Sequence, residues 1–161
     1  MTSAPAAAEV TRHCYARHPA AVAVVAAVVG GTGQAMVCTS LNAVSLSPPI
    51  MSVAIRKEST TWPLLRTAET VGVSVLSDLQ DDVAFRIARR PAAERLNDIP
   101  VVVAADGTAV HVLGAALHYR CRLGTTSEVG DHWLVTLPVL TSTSHDDVNP
   151  LVFPIRSRPA G

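Results

Sequence analysis

Residues 36–61, MVCTSLNAVSLSPPIMSVAIRKESTT, place short hydroxyl and amide side chains, a Pro-Pro corner, a Val/Ile-rich run and a basic-hydroxyl cluster in one unbroken segment. The Val/Ile-rich run 50–56 reads as a strand, and Pro48-Pro49 makes the corner before it. Thr39, Ser40, Asn42 and Ser45 are small enough to let a flat heterocycle approach the backbone and bond to it at its rim. Side chains of this kind also satisfy their own backbone in turns, so both readings stand. Farther along, Arg56-Lys57-Glu58-Ser59-Thr60-Thr61 falls where a strand should end and a helix begin. Backbone N–H groups at a helix start, the Lys57 ammonium and the hydroxyls of Ser59 and Thr61 together suit a phosphate. The simpler alternative is that Thr60 or Thr61 caps the helix while Lys57 is solvated. About seven residues separate the two features, roughly 23 Å if fully extended, so one ligand reaches both only if the strand curves or its neighbour folds over.

Outward from this segment, strands are expected at about 20–29, 34–40, 50–56, 70–77, 109–123, 132–140 and 151–155, each bounded by Gly, Pro, Asp or Ser. A short helix is expected from Thr60 or Thr61 with Pro63 in its first turn, and a second after Ser77 or Asp78 through DDVAFRIARR. Strands do not alternate with long helices, which disfavours a doubly wound parallel sheet and favours a closed antiparallel barrel. The 161 residues suffice for one domain, with 1–11 and 156–161 as loose tails. Aromatics make up only 4% against 48% hydrophobic residues, so Ala and Val must build the core.

Thirteen basic and thirteen acidic residues cancel, which argues against nucleic acid as a partner. Cys14, Cys38 and Cys121 lack any metal-ligand spacing and read as thiols of a reducing, cytoplasmic compartment. The apolar run Pro19–Val29 is too short to span a membrane and its valines suit a buried strand better than an export signal. Gly31-Thr32-Gly33 follows that strand, but Met36 stands where a dinucleotide fingerprint needs its third glycine, and a Gly-rich hairpin turn is the better reading.

The stretch carrying Met36, Thr39, Ser40, Leu41, Ala43, Val44, Ser45, Leu46, Pro48 and Pro49, then Ser59 and Thr61, resembles the flavin reductase-like family, the small components of two-component flavin monooxygenases. Similarity extends to His18–Val25, to Val73-Ser74-Val75-Leu76, to Leu113–Arg122 and to the turn Gly130-Asp131-His132, about 140 residues in all. The chain departs from the family pattern with Thr39 and Leu41 in place of Asn and Phe, Ser74 in place of Asn, and Leu137-Pro138 where Gly is frequent.

The resemblance implies a mainly β fold, a Greek-key split β-barrel with a few short helices, forming a homodimer. It implies reduction of FMN or FAD by NADH or NADPH, with reduced flavin diffusing to a partner oxygenase or halogenase. Carried over by position, Thr39, Ser40, Leu41, Val44 and Ser45 would contact the flavin ring, while Lys57, Ser59 and Thr61, with Thr60 between them, would hold phosphate. His132 is the candidate for a role on the nicotinamide side, although Gly-Asp-His also makes a competent hairpin corner. The other five histidines read as surface or structural. Hydride transfer between two cofactors demands orientation more than a protein acid or base, so the lack of a catalytic triad or carboxylate pair is expected. A non-catalytic flavin carrier on the same barrel is the alternative. An oxidase of a phosphorylated vitamer is a third reading, for which the second set of basic residues is missing.

Overall fold

The computed structural model describes residues 4–154. In chain order these form α1 (Ala4–Arg17), β1 (Ala20–Ala21), β2 (Ala23–Val29), β3 (Thr32–Cys38), β4 (Asn42–Leu46), β5 (Pro49–Arg56), α2 (Trp62–Leu65), β6 (Thr70–Val75), α3 (Asp81–Arg89), a 3-10 turn (Ala92–Glu94), β7 (Val101–Val103), β8 (Val110–Val112), β9 (Leu117–Arg122), β10 (Thr126–Val129), β11 (His132–Ser144) and β12 (Val152–Phe153).

Seven strands follow one antiparallel path, β3-β2-β6-β9-β11-β5-β4, with β10 added to β11. The first half of β11 pairs with β5, from His132 opposite Arg56 to Pro138 opposite Ile50, and its second half pairs with β9. A bulge between Val139 and Thr141 separates the two pairings, and such an irregularity bends a strand and raises its twist. One long strand thus serves both halves of the split barrel.

Period-2 alternation divides the core into two layers. Ala23, Val25 and Ala27 of β2 point into the barrel with Val53, Ile55, Val73, Val135 and Leu137. Val22, Val24 and Ala26 point outward, where Val83, Ala84 and Ile87 of α3 cover them with Val110 and Val112. The apolar run of residues 19–29 therefore holds β1 and β2, and β2 is buried on both faces over most of its length. Gly72 on β6 is required by close approach, since a Cβ there would lie 2.0 Å from the Val110 carbonyl oxygen.

The Gly30-Gly31 turn has φ of +58° and +78°, the left-handed pair that a two-residue hairpin needs, and it joins β2 to β3; the glycine-rich turn expected over Gly31-Thr32-Gly33 lies one residue earlier, with Thr32 and Gly33 already in β3.

Several boundaries differ from the sequence reading. Residues 4–11, expected as a loose tail, belong to α1, whose start APAAAE is rich in the strongest helix former. Residues 156–161 and the last residue of the expected strand 151–155 lie outside the described residues. The expected strand 109–123 breaks into β8 and β9 at Gly114, which has φ of +80°. The helix expected after Ser77 or Asp78 begins at Asp81; Ser77–Gln80 form a turn in which the Gln80 carboxamide accepts the Ser77 N–H. β4, β7 and β10 carried no strand prediction.

Candidate flavin site

A cavity of about 600 Å³ opens between the end of β3, the middle and end of β5, and the C-terminal end of α3. This is within the roughly 300–1,000 Å³ usual for small-molecule sites. Thr39, Ser40, Ser59, Thr60, Thr61 and His132 all line it, so the polar rim and the hydroxyl cluster do meet. Curvature alone does not bring them together. β4 pairs with β5 in a register that puts Asn42 opposite Ser52, and two residues farther along Ser40 falls opposite Ala54. There the Ser40 hydroxyl donates to the Ala54 carbonyl at 2.8 Å and accepts from its N–H at 3.0 Å. A side chain closes the seam where the backbone ladder stops, and Thr39 is held beside the far end of β5.

The phosphate end is built differently from expectation. α2 is a single turn, too short to sum much dipole, and its Trp62 N–H is already bonded to the Ser59 hydroxyl at 3.1 Å. The capping hydroxyl is thus that of Ser59, rather than of Thr60 or Thr61. Formal positive charge in the lining comes from Arg56 at the end of β5 and from Arg95, just past the 3-10 turn. The Nη1 of Arg95 donates to the buried Thr61 hydroxyl at 2.6 Å and to the Ala35 carbonyl at 3.0 Å, and its Nε donates to the Arg90 carbonyl at 3.2 Å. Among the described residues no carboxylate pairs with this guanidinium, which lines the cavity. A positioned, uncompensated guanidinium beside hydroxyls is the chemistry of an anion site. Sequence reasoning missed Arg95 because it sits among Arg86, Arg89 and Arg90, whose spacing reads as an ordinary helix face.

Four expected site residues fall outside the cavity lining. Leu41 is buried in the barrel core, 8% exposed. Val44 stands exposed on β4, and Ser45 lies past a bulge in the β4–β5 register. Lys57 also lies outside this lining. Its ammonium pairs with Glu128 of β10 and lies 5.5 Å from the centre of the Trp133 ring. Alternation past the end of β5 sends it away from the cavity that Arg56 and Glu58 line.

His132 begins β11, opposite Arg56, and its Nδ1 is 2.7 Å from the Asp131 carboxylate. That hydrogen bond is the main reason the Asp131 carboxyl is held below its ordinary value. His132 lines the cavity and also stands at a hairpin corner, since Gly130-Asp131 joins β10 to β11 as a two-residue turn. Cys38 also borders the cavity, but burial pushes its thiol up to about 12, against a weaker opposing hydrogen bond from the backbone of Ser40, which favours the protonated thiol at neutral pH.

The flavin reductase like domain matches residues 15–160, and the chain belongs to that family. It is similar to the reductase component of 4-hydroxyphenylacetate 3-monooxygenase from Thermus thermophilus, 30% identical over 148 residues that cover 90% of this chain and 91% of that one. It is also similar to an NADH:FMN oxidoreductase of Rhodococcus qingshengii, 33% identical over 119 residues that cover 74% of this chain and 62% of that one. Among solved structures, the Streptomyces globisporus C-1027 NADH:FAD oxidoreductase SgcE6 in complex with NAD and FAD fragments superposes with a TM-score of 0.84. Identity there is 26%, covering 95% of this chain and 92% of that one.

Proposed function

We propose that the cavity between Ser40 and Arg95 binds FMN or FAD and that the protein is an NAD(P)H-dependent flavin reductase. The observation that carries this reading is the joining of two chemistries in one cavity. The exposed Thr39 and the part-buried Ser40 line the same cavity as an anion corner made by Ser59, Thr60, Thr61 and Arg95. Bound flavin supplies the acceptor for a hydride from the nicotinamide. The protein's own residues bind, orient and exclude water: Thr39 and Ser40 border the ring, Arg95 and Thr61 hold the phosphate, and His132 flanks the nicotinamide side. None of them needs to transfer a proton in the hydride step.

Reduced flavin leaves by diffusion and serves a flavin-dependent monooxygenase or halogenase, in keeping with a relative named as the reductase component of a monooxygenase. The working form is a cytoplasmic homodimer. Exposed Val44, Leu46 and Val129 on the β4–β5 and β10–β11 hairpins give the apolar surface that a second copy would cover. Among the described residues no helix is long and apolar enough to cross a membrane. Steady-state NADH and NADPH oxidation with added FMN and FAD tests the activity. Flavin-dependent turnover with either nicotinamide is expected, whereas tight binding without turnover would make the protein a flavin carrier.

A further inference from the structure

Next to the anion corner, α3 contributes Ile87 and Ala88 to the cavity wall. One helical turn before Ala88, on the adjoining edge of the helix, stands Phe85, one of only two phenylalanines in the chain and 44% exposed. The Arg89 guanidinium lies against its ring, 5.2 Å from the centre. The neighbouring arginines of this region are engaged: Arg86 faces Asp82 and donates to the Asp98 carbonyl, and Arg90 faces Asp98 and bonds the Asn97 carbonyl. Among the described residues Arg89, like Arg95, has no carboxylate partner. Beyond Ala88, outside the cavity lining itself, the helix therefore presents an aromatic-guanidinium pair, and Arg89 adds an unneutralised positive charge to those of Arg56 and Arg95 in the cavity.

FMN ends at one phosphate. FAD continues with a second phosphate and an adenosine. An aromatic ring backed by a guanidinium is a surface on which a purine stacks, and a free guanidinium beside it complements the added charge. We propose that Phe85 and Arg89 form the seat for the adenylate half of FAD, making them the residues by which this chain discriminates FAD from FMN. The assignment rests on the flavin-reductase reading of the cavity and adds to it the identity of the preferred flavin.

Equilibrium binding by quenching of flavin fluorescence tests this without requiring turnover. In the full-length protein, Phe85→Ala should weaken FAD binding about tenfold and change FMN binding less than about twofold, the loss expected for one stacked base. Phe85→Trp should restore FAD affinity, and Arg89→Ala should lower it while reducing its dependence on salt. Equal losses for both flavins, or no loss for either, would overturn the assignment. So would a rise in the NADH KM measured with FMN in Phe85→Ala, because the shelf would then belong to the nicotinamide dinucleotide. Failure of the wild-type protein to bind either flavin would sink the underlying reading instead. A melting temperature of Phe85→Ala within a few degrees of wild type excludes a folding defect as the cause.

Discussion

Ser40 and Ala54 meet where the β4–β5 ladder ends, with one hydroxyl bonded to both backbone groups of its partner. Ser40 therefore acts first as the clasp that holds Thr39 beside β5 and only then as part of a binding strip. Ser40→Ala leaves a part-buried N–H and C=O without their partner, a loss of about 1–3 kcal/mol. Urea unfolding should show that loss, and flavin affinity should fall with it. A variant as stable as wild type would mean that backbone or water replaces the clasp.

Arg95 is held against the hydroxyl corner by its bond to Thr61, without a carboxylate partner among the described residues. Charge-assisted bonds to a phosphate contribute about 1.5–3 kcal/mol, or roughly ten- to a hundredfold in affinity. Arg95→Ala should raise the FMN dissociation constant by that factor, while riboflavin, which lacks the phosphate, should bind the variant and wild type alike. Equal loss for riboflavin would assign Arg95 to the scaffold alone.

His132 lines the cavity while tied to Asp131. His132→Ala should lower kcat or raise the NADH KM severalfold while leaving oxidised-flavin binding within about a factor of three, the pattern of a group on the nicotinamide side. A variant with unchanged kinetics would return His132 to its hairpin role.

The three thiols should divide by burial. Cys38 and Cys121 are buried, and burial pushes each thiol up to about 12; Cys14 on α1 is exposed. A colourimetric thiol reagent at neutral pH should label one cysteine in the native protein and all three in denaturant. Rapid labelling of Cys38 in the native state would show that the cavity floor opens.

Two groups set opposite ends of an acid profile. Burial, with His118 alongside at a ring distance of 5.0 Å, lowers the His111 value, so the neutral ring is the native form. The unfolded chain binds that proton more readily, so this contribution is complete above the ordinary value of 6.5 and is lost as pH falls below it. At Asp106, burial raises the carboxyl but hydrogen bonds from Thr108, Thr70, Ala109 and Arg120 outweigh it and bring it to about 2. Its contribution is complete above 3.8 and disappears as pH falls toward about 2. Urea midpoints should decline first below neutrality and again in strong acid. His111→Phe should remove the first decline, and a first decline that persists in that variant would assign it to other groups.

Much of the barrel was legible because its strands are apolar runs punctuated by turn residues: β2, β5 and β6 fall within or close to the segments expected. β4 and β10 escaped because both lie on exposed hairpins, where NAVSL and TSEV have little burial to impose a pattern. Within the site, the hydroxyls of Ser40, Ser59 and Thr61 were visible as a local motif, whereas Arg95 depends on a fold that brings it against Ala35 and Thr61. For Lys57 the converse holds. Its neighbours in sequence line the cavity, but its partners are Glu128 and Trp133, seventy or more residues away.

A crystal structure of the protein grown with FMN puts the central claim to its most direct test. The account predicts the phosphate within hydrogen-bonding distance of Arg95 and of at least one hydroxyl among Ser59, Thr60 and Thr61, with the ring edge along Thr39 and Ser40. Phosphate density at Lys57, or a ring bound outside this cavity, would contradict it.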